Sequence, residues 1–465
     1  MAETTHLRTP RADGHVAVIG LGYVGLTLAL SLARVGIPVI GVEANPRTRA
    51  ELRAGRTVLF EPGVAELLET LPADRFTVTD RLPDTPLRAI IICVGTLVDP
   101  ATRQLDMGPL DAATAHAAEH VSADTLVVVR STVPVGTTRR VVLAKMLEYT
   151  GKPLLAFCPE RTIQGQALAE LASLPQVIGA LDDESLELAR ALFAPLAADH
   201  SLVSSLEAAE MTKLICNSHT DLIYGFGNEI ANIAESLDLD AGEIIAAANL
   251  RYPRPDLSKP GFVGGSCLTK DPYLLMQSAE AAGARTPMIA AARSVNEQVP
   301  RAAVEQVLAA LTATGCAHRD AKVLVCGIAY KGHPETDDVR GSAAIEVAEL
   351  LRHRVAVLAG HDYVVAPERI AELGYRPVTL EEGMTDADAV LLLVDHPSYP
   401  KEIDTEAVRS RMRLPAVVFD MWGRLATELA EAEGIEYRRL GCGGANSRHR
   451  WSWVRRAASD ASPAA

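Results

Sequence analysis

Residues 15–43 read HVAVIGLGYVGLTLALSLARVGIPVIGVE. The stretch opens on a short β-branched run, passes through a glycine loop, continues as an apolar-periodic segment and ends in a second apolar run. That is strand, helix, strand, the unit from which parallel sheets are built. The loop Gly20-Leu21-Gly22-Tyr23-Val24-Gly25 has GxGxxG spacing. The spacing alone is a weak signal, but here a strand precedes it, a helix follows, and an acid, Glu43, ends the second strand. Gly20 permits the tight turn, Gly22 lets backbone meet a pyrophosphate, and Gly25 lets helix pack on strand. The helix N-terminus offers N–H groups to the phosphates. Glu43 would hold a ribose 2′-hydroxyl and repel a 2′-phosphate, which favours NAD over NADP. Arg47, just after it, is the residue placed to soften that rejection.

The same rhythm continues outward. Strand-like runs recur at RAIIICVG, DTLVVVRS and KPLLAFC, so residues 15–203 read as one doubly wound α/β domain that binds NAD. From Ser204 the character changes. SSLEAAEMTKLICNSHTDLIYGFGNEIANIAESL is rich in helix formers and reads as one long helix. A proline- and glycine-rich loop follows, then more helix through about residue 298, which makes residues 204–300 a central helical domain carrying a cysteine loop. The α/β rhythm restarts at Lys322 with KVLVCGIAY, RVAVLAGHD, AVLLLVDH and AVVFDMW, giving a second, smaller domain over 318–440. The expected fold class is α/β, two Rossmann-like doubly wound domains joined by a long central helix. Residues 1–14 are expected to be disordered, and the tail 441–465 to be disordered at its end.

A chain of 465 residues with 48% hydrophobic residues can bury more than one core. Its net charge of −14 argues against a nucleic-acid surface, which needs a basic stripe. No apolar run approaches membrane-spanning length, and the first residues have no apolar segment of a signal peptide. Nothing suggests a metal: the seven cysteines form no CxxC pair. A cytoplasmic location is expected, with reduced thiols.

One of those thiols stands apart. Cys93, Cys158, Cys216 and Cys326 lie in apolar runs, where a thiol is a small buried hydrophobe. Cys267 lies in GFVGGSCLTKD, residues 261–271, behind two glycines and ahead of a cation, Lys270. That setting favours a reactive thiolate. With a dinucleotide domain, such a thiolate suggests oxidation beyond the aldehyde. An aldehyde releases a second hydride only after a nucleophile has added to its carbonyl. A thiolate can add, and the thiohemiacetal becomes a thioester that water cleaves to an acid. Such a site needs a donor for the oxyanion and a base for water. Lys213 and Asn217, at i and i+4, share one face of the long helix, and Asp271 follows Cys267 by four residues.

From about residue 15 to 440 the chain resembles the UDP-glucose/GDP-mannose dehydrogenase family. The resemblance rests on VAVIGLGYVGLTLA, RSTVPVGTT, FCPERT, EAAEMTKLICNS, GFVGGSCLTKDPYLL and GIAYKGHPETDDVRGS. It implies four-electron oxidation of C6 of a nucleotide-bound hexose, two NAD per sugar, and a homodimer built on the central helix. It implies that Cys267 is the nucleophile, that Lys213 and Asn217 meet the oxyanion and substrate hydroxyls, and that Asp271 helps activate water. Thr132 resembles the threonine that orders that water, and Glu160 the glutamate near the reacting carbon, a candidate base for thioester hydrolysis. For the cofactor it implies Gly20, Gly22, Tyr23, Val24, Gly25, Glu43, Thr96, Thr132 and Lys270. For a UDP-sugar substrate it implies Glu160, Arg161, Lys213, Asn217, Arg254, Gly264, Lys331 and Arg340. The chain departs from the UDP-glucose branch at Gln164, which stands where that branch has a second glutamate, and at DMWGRL, residues 420–425. CPERTIQGQALAEL and its neighbours look closer to the UDP-N-acetylhexosamine branch, UDP-GlcNAc or UDP-ManNAc. UDP-glucose or GDP-mannose oxidation, a two-electron alcohol dehydrogenase and a silent NAD-binding protein are the competing readings.

Overall fold

The structure, a computed structural model, describes residues 14–57, 59–99, 105–197, 199–252, 256–425 and 428–443. These fall into two compact units. The first holds the chain up to His219 together with Cys267–Pro287, and the second holds Thr220–Ser266 and the chain from Met288 onward.

In the first unit β1 (His15–Ile19), β2 (Val39–Val42), β3 (Phe76–Thr79) and β4 (Leu87–Ile92) are followed by a short antiparallel pair, β5 (Leu97–Val98) and β6 (Leu105–Asp106). Then come β7 (Leu126–Val129), β8 (Leu154–Phe157), β9 (Gln176–Ala180) and β10 (His200–Val203). The main sheet runs β10-β9-β8-β7-β4-β1-β2-β3, parallel except where β9 meets β8. From β3 to β8 this is the strand order of a dinucleotide-binding sheet, whose order reverses between β1 and β4. Both faces are covered, and that explains why the strands are apolar throughout. Val16, Ala89, Ile91 and Val128 enter one buried cluster, and their neighbours Ala17, Ile90, Ile92 and Val127 enter the other.

The second unit repeats the order. Its strands β11 (Lys322–Cys326), β12 (Val357–His361), β13 (Arg376–Pro377), β14 (Ala389–Leu392), β15 (Ala416–Asp420) and β16 (Ile435–Arg439) form one parallel sheet, β13-β12-β11-β14-β15-β16. The chain has the expected α/β class. Edge strands such as β3 (FTVT), β10 (HSLV) and β16 (IEYRR) escape a search for apolar runs, because an edge leaves part of the strand to solvent.

The long helix is Leu206–Ser236, 31 residues. Ser205 Oγ accepts from Ala208 N at 3.1 Å at its start, and Leu206 and Ala209 sit in the first unit's core. It ends where Asp238 turns to φ 57°. The helical stretch expected to stop near residue 298 is instead two helices, Asp271–Ala281 and Pro287–Ala313, the second running on past Pro300. Ala303, Val304, Val307, Leu308 and Leu311 are fully buried beyond that proline. Their burial outweighs the one backbone hydrogen bond that proline removes. Of the expected tail, Gly441 is tied down by donating its N–H to Glu235 Oε1 at 2.6 Å, and residues 444–465, like 1–13, lie outside the described residues.

One carboxylate fixes a loop to the long helix. Glu210 is fully buried and accepts from the backbone N–H of Gly136 and, at 2.7 Å, of Thr138. Glu210→Ala would strand two buried donors. It should lower stability by about 2–4 kcal/mol, read as a drop in the denaturant midpoint. An unchanged midpoint would mean that the 133–138 loop is held by something else.

Candidate active site

The glycine loop fits a dinucleotide. Gly20 has φ 91°, and a Cβ there would lie 2.9 Å from the Cys93 carbonyl oxygen. A Cβ on Gly25 would stand 1.8 Å from the Gly20 carbonyl oxygen, so helix and loop touch backbone to backbone. At Gly22 a Cβ would meet nothing within 4 Å. The open position is therefore the one that a pyrophosphate needs. Tyr23 and Val24, half-buried, open the helix Tyr23–Arg34. The Glu43 carboxylate is aimed by two backbone donors, Leu21 N at 3.0 Å and Asn45 N at 2.8 Å. Arg47 is exposed on the first turn of the next helix.

Beyond the loop the expected residues converge within the first unit. Lys270 Nζ donates to Thr96 Oγ1 at 2.9 Å and to Thr96 O at 3.1 Å, and Thr96 Oγ1 donates to Thr132 O at 2.7 Å. The lysine read as the cation beside Cys267 is thus directed at the cofactor domain's loops. Cys267 is exposed, and its carbonyl accepts from Lys270 N and Asp271 N at 3.0 and 2.8 Å. These bonds form the turn that opens the helix Asp271–Ala281. Asp271 is fully buried. Its Oδ2 accepts from Asn217 Nδ2 at 2.5 Å, while Oδ1 has no hydrogen-bond partner and lies 3.7 Å from Lys270 Nζ. Lys213, one turn before Asn217, is buried, so this helix face is no solvated surface. Cys216 corrects its sequence reading: it is exposed, because it points away from that buried face.

Glu160 receives three donors. Oε1 accepts from Arg161 N at 2.7 Å and Thr162 N at 2.9 Å, and Oε2 accepts from Arg130 Nη2 at 2.5 Å. Burial alone would push this carboxyl up, but the Arg130 guanidinium, the Thr162 N–H and nearby Lys213 outweigh it and hold it below the usual range. A carboxylate so held is a weak proton acceptor, which counts against Glu160 as the base for water. The Arg161 side chain donates to the Pro175 carbonyl. Buried Glu61 accepts from Gly165 N and Ala167 N at 2.7 and 2.8 Å, which fixes the loop that carries Gln164.

The remaining expected residues lie in the second unit. A Cβ on Gly264 would stand 2.7 Å from Gly341 O. Lys331 Nζ lies 5.5 Å from the Tyr330 ring centre, and Arg340 folds back on Asp338 with Nη2 2.7 Å from Oδ2. Arg254 lies outside the described residues. Here Asn228 clamps the glycine loop, accepting from Gly261 N at 2.8 Å and donating to Gly261 O at 2.9 Å. Trp422, from DMWGRL, packs where a Gly261 side chain would be. Asp362, at the end of β12, accepts from four backbone N–H groups, those of Ile328, Ala329, Val364 and Val365. Sequence reasoning missed Arg130, Glu61, Asn228 and Asp362. Glu61 and Asn228 take part through contacts far along the chain, but Asp362 carries a signal that could have been read: an acid ending a second strand, as Glu43 does.

Three family models match the chain in order: the NAD binding domain of the UDP-glucose/GDP-mannose dehydrogenase family over residues 14–197, its central domain over 207–298 and its UDP binding domain over 324–427. A UDP-N-acetyl-D-mannosamine dehydrogenase of Pyrococcus horikoshii is 32% identical over 415 residues, 87% of this chain and 94% of that protein. The structure of a UDP-D-ManNAc dehydrogenase from the same organism superposes with a TM-score of 0.83 at 30% identity, covering 92% of this chain and 100% of that one. The UDP-glucose 6-dehydrogenase TuaD of Bacillus subtilis is 30% identical over 440 residues, 92% of this chain and 93% of that protein.

The two glycines separate folding from binding. Gly22→Ala adds a methyl to open space and should change stability by less than about 0.5 kcal/mol, yet weaken NAD on the order of tenfold or more. Gly25→Ala should damage both, since the loop must move. Calorimetric melting beside NAD titration checks this, and NAD affinity unchanged in Gly22→Ala would remove the pyrophosphate from that position.

Proposed function

Since the chain belongs to the UDP-glucose/GDP-mannose dehydrogenase family, whose members are NAD-dependent nucleotide-sugar dehydrogenases, we propose that it oxidises C6 of a UDP-N-acetylhexosamine to the carboxylate. The observation that carries this reading is the Asn217–Asp271 hydrogen bond, which joins the long helix, one turn past buried Lys213, to the head of the helix that exposed Cys267 precedes. NAD, when bound, supplies the hydride acceptor for both oxidations.

The chain's own residues supply the rest. Gly22 and the helix N-terminus hold the pyrophosphate, and Glu43 holds the ribose. The Cys267 thiolate adds to the aldehyde carbon, forming a C–S bond while the carbonyl oxygen takes the electron pair. Lys213 and the second N–H of the Asn217 amide stabilise that oxyanion. After the second oxidation the sulfur is part of a thioester. Water adds to its carbonyl carbon, the C–S bond breaks, and the thiolate leaves. Asp271 Oδ1, buried and without a hydrogen-bond partner, is the acceptor available to that water. Thr132 is assigned the ordering of that water, and Glu160 a place near the reacting carbon.

Two lines support an N-acetylhexosamine. The relatives named above include UDP-ManNAc enzymes that cover nearly the whole chain. Gln164 also sits half-buried in the loop after Glu160, and an amide can donate and accept to an acetamido group where a carboxylate can only accept. Lys331 and Arg340 are proposed as contacts of the sugar nucleotide. A second reading, UDP-glucose, keeps the same chemistry and is favoured by the TuaD likeness.

The long helix also supports a homodimer. Met211, Ile215, Phe226 and Ile233 are exposed along it, and Leu237 just past its end, at intervals of four, eleven, seven and four residues, which set them along one stripe. No described helix is long and apolar enough to cross a membrane; a cytoplasmic location is proposed with this soluble-substrate chemistry.

Steady-state kcat/KM with UDP-ManNAc, UDP-GlcNAc and UDP-glucose under one NAD concentration should rank an N-acetylhexosamine first and yield two NADH per sugar. Cys267→Ala should bind NAD normally and make no acid; acid from that variant would sink the nucleophile, and UDP-glucose as best substrate would move the chain to the other branch. Light scattering should give a dimer that Phe226→Asp converts to monomer. A monomeric, fully active wild type would refute the stripe as an interface.

A further inference from the structure

Arg130 follows β7 directly, and its side chain is 1% exposed. It reaches no surface from which a substrate could be touched. Its Nη1 donates to Cys158 O at 3.0 Å and to Gln176 Oε1 at 2.9 Å, and its Nη2 donates to Glu160. Gln176 is oriented in turn by donating to Val177 O at 2.8 Å and Pro159 O at 3.3 Å. The guanidinium carbon lies 5.4 Å from the Phe193 ring centre, and Nε has no partner. An arginine serving stability alone would not be expected to bury an unpartnered donor. An apolar side chain would fill the same space without desolvating a charge.

We propose that Arg130 is a positioning residue for the thioester half of the reaction: it anchors Glu160 so that this residue stays a carboxylate beside Lys213 and leaves one acceptor position of Oε2 open to the reacting centre. The inference rests on the nucleotide-sugar reading given above. A carboxylate offers about four acceptor positions, and three of Glu160's are filled by Arg130, Arg161 N and Thr162 N. The geometry therefore fixes both the rotamer and the one free edge. Three titratable side chains face the pair that Glu160 forms with Arg130: Lys213 from the long helix, Cys93 from the end of β4 and Cys158 from the end of β8. Burial pushes both thiols up to about 12, so they stay neutral, and the two cations govern the carboxylate. Without Arg130, burial would favour the protonated acid, and Lys213 would lose the anion that faces it.

The test uses the full chain with Arg130→Lys, Arg130→Met, Glu160→Gln and the Arg130→Met/Glu160→Gln pair. UDP-ManNAc and UDP-glucose serve as substrates, with the rapid NADH burst and the steady-state rate of acid release recorded across pH. Arg130→Met should keep NAD affinity and burst rate within about threefold and slow steady-state acid release by on the order of a hundredfold. Its acidic limb should move to higher pH, because a carboxyl no longer held ionised takes up its proton earlier on acidification. Arg130→Lys should recover part of the rate and of the shift. In the Glu160→Gln background, Arg130→Met should add no more than about a twofold further loss. If Arg130→Met does not fold, Arg130→Lys carries the same comparison, and the double variant removes both members of the Arg130–Glu160 ion pair together. Burst and steady state falling together on an unshifted pH profile would overturn the proposal, as would losses that multiply in the Glu160→Gln background. If Cys267→Ala still makes acid, the thioester reading fails and the proposal fails with it, whatever coupling Arg130 and Glu160 show.

Discussion

One stripe of one helix ties together the segments of the candidate site. Glu210, Lys213 and Asn217 stand at i, i+3 and i+7 and so share a face. Each answers to a different segment of chain. Glu210 holds the loop at 136–138, Lys213 lies beside the Glu160 loop, and Asn217 holds Asp271 at the head of the cysteine helix. These three segments come from positions far apart in sequence. Rotating the helix by one residue, about 100°, would release all of them together. Residues that look like separate motifs are therefore one mechanical unit.

The electrostatics follow from that arrangement. Carboxylates, a lysine and an arginine share a largely dry space where charge interactions are strong and isolated charges are costly. Glu210 and Glu160 resolve this differently. At Glu210 burial outweighs the donors that Thr138 and Gly136 supply, and it pushes the carboxyl up. Glu160 has two cations as well, and they reverse the effect of burial. Environment assigns two buried glutamates opposite tendencies within one unit of the protein.

Much of this was legible in the sequence, for a physical reason. Parallel strands covered on both faces must be apolar without interruption, and β1, β4, β7, β8, β11 and β14 announce themselves that way. The glycine loop is legible because its geometry permits few residues. The i, i+4 pair Lys213 and Asn217 is legible because helical periodicity is local. Edge strands were lost where solvent relaxes the pattern. The helix beyond Pro300 was lost because its stability lies in tertiary burial, which local propensity does not encode. Arg130 and Asn228 were lost because a buried polar residue declares its purpose only through partners 30 or more positions away.

The two sheets share a strand order and each ends its second strand in an acid, yet the acids differ in spare capacity. A carboxylate offers about four acceptor positions. Glu43 has two occupied by backbone, so a sugar diol can still be received. Asp362 has all four taken by the N–H groups around it. It has become a staple of its own loop and has no lone pair left to offer a ribose. By this saturation two sheets of one strand order are told apart: the second has no carboxylate lone pair free at the place where the first would receive a ribose.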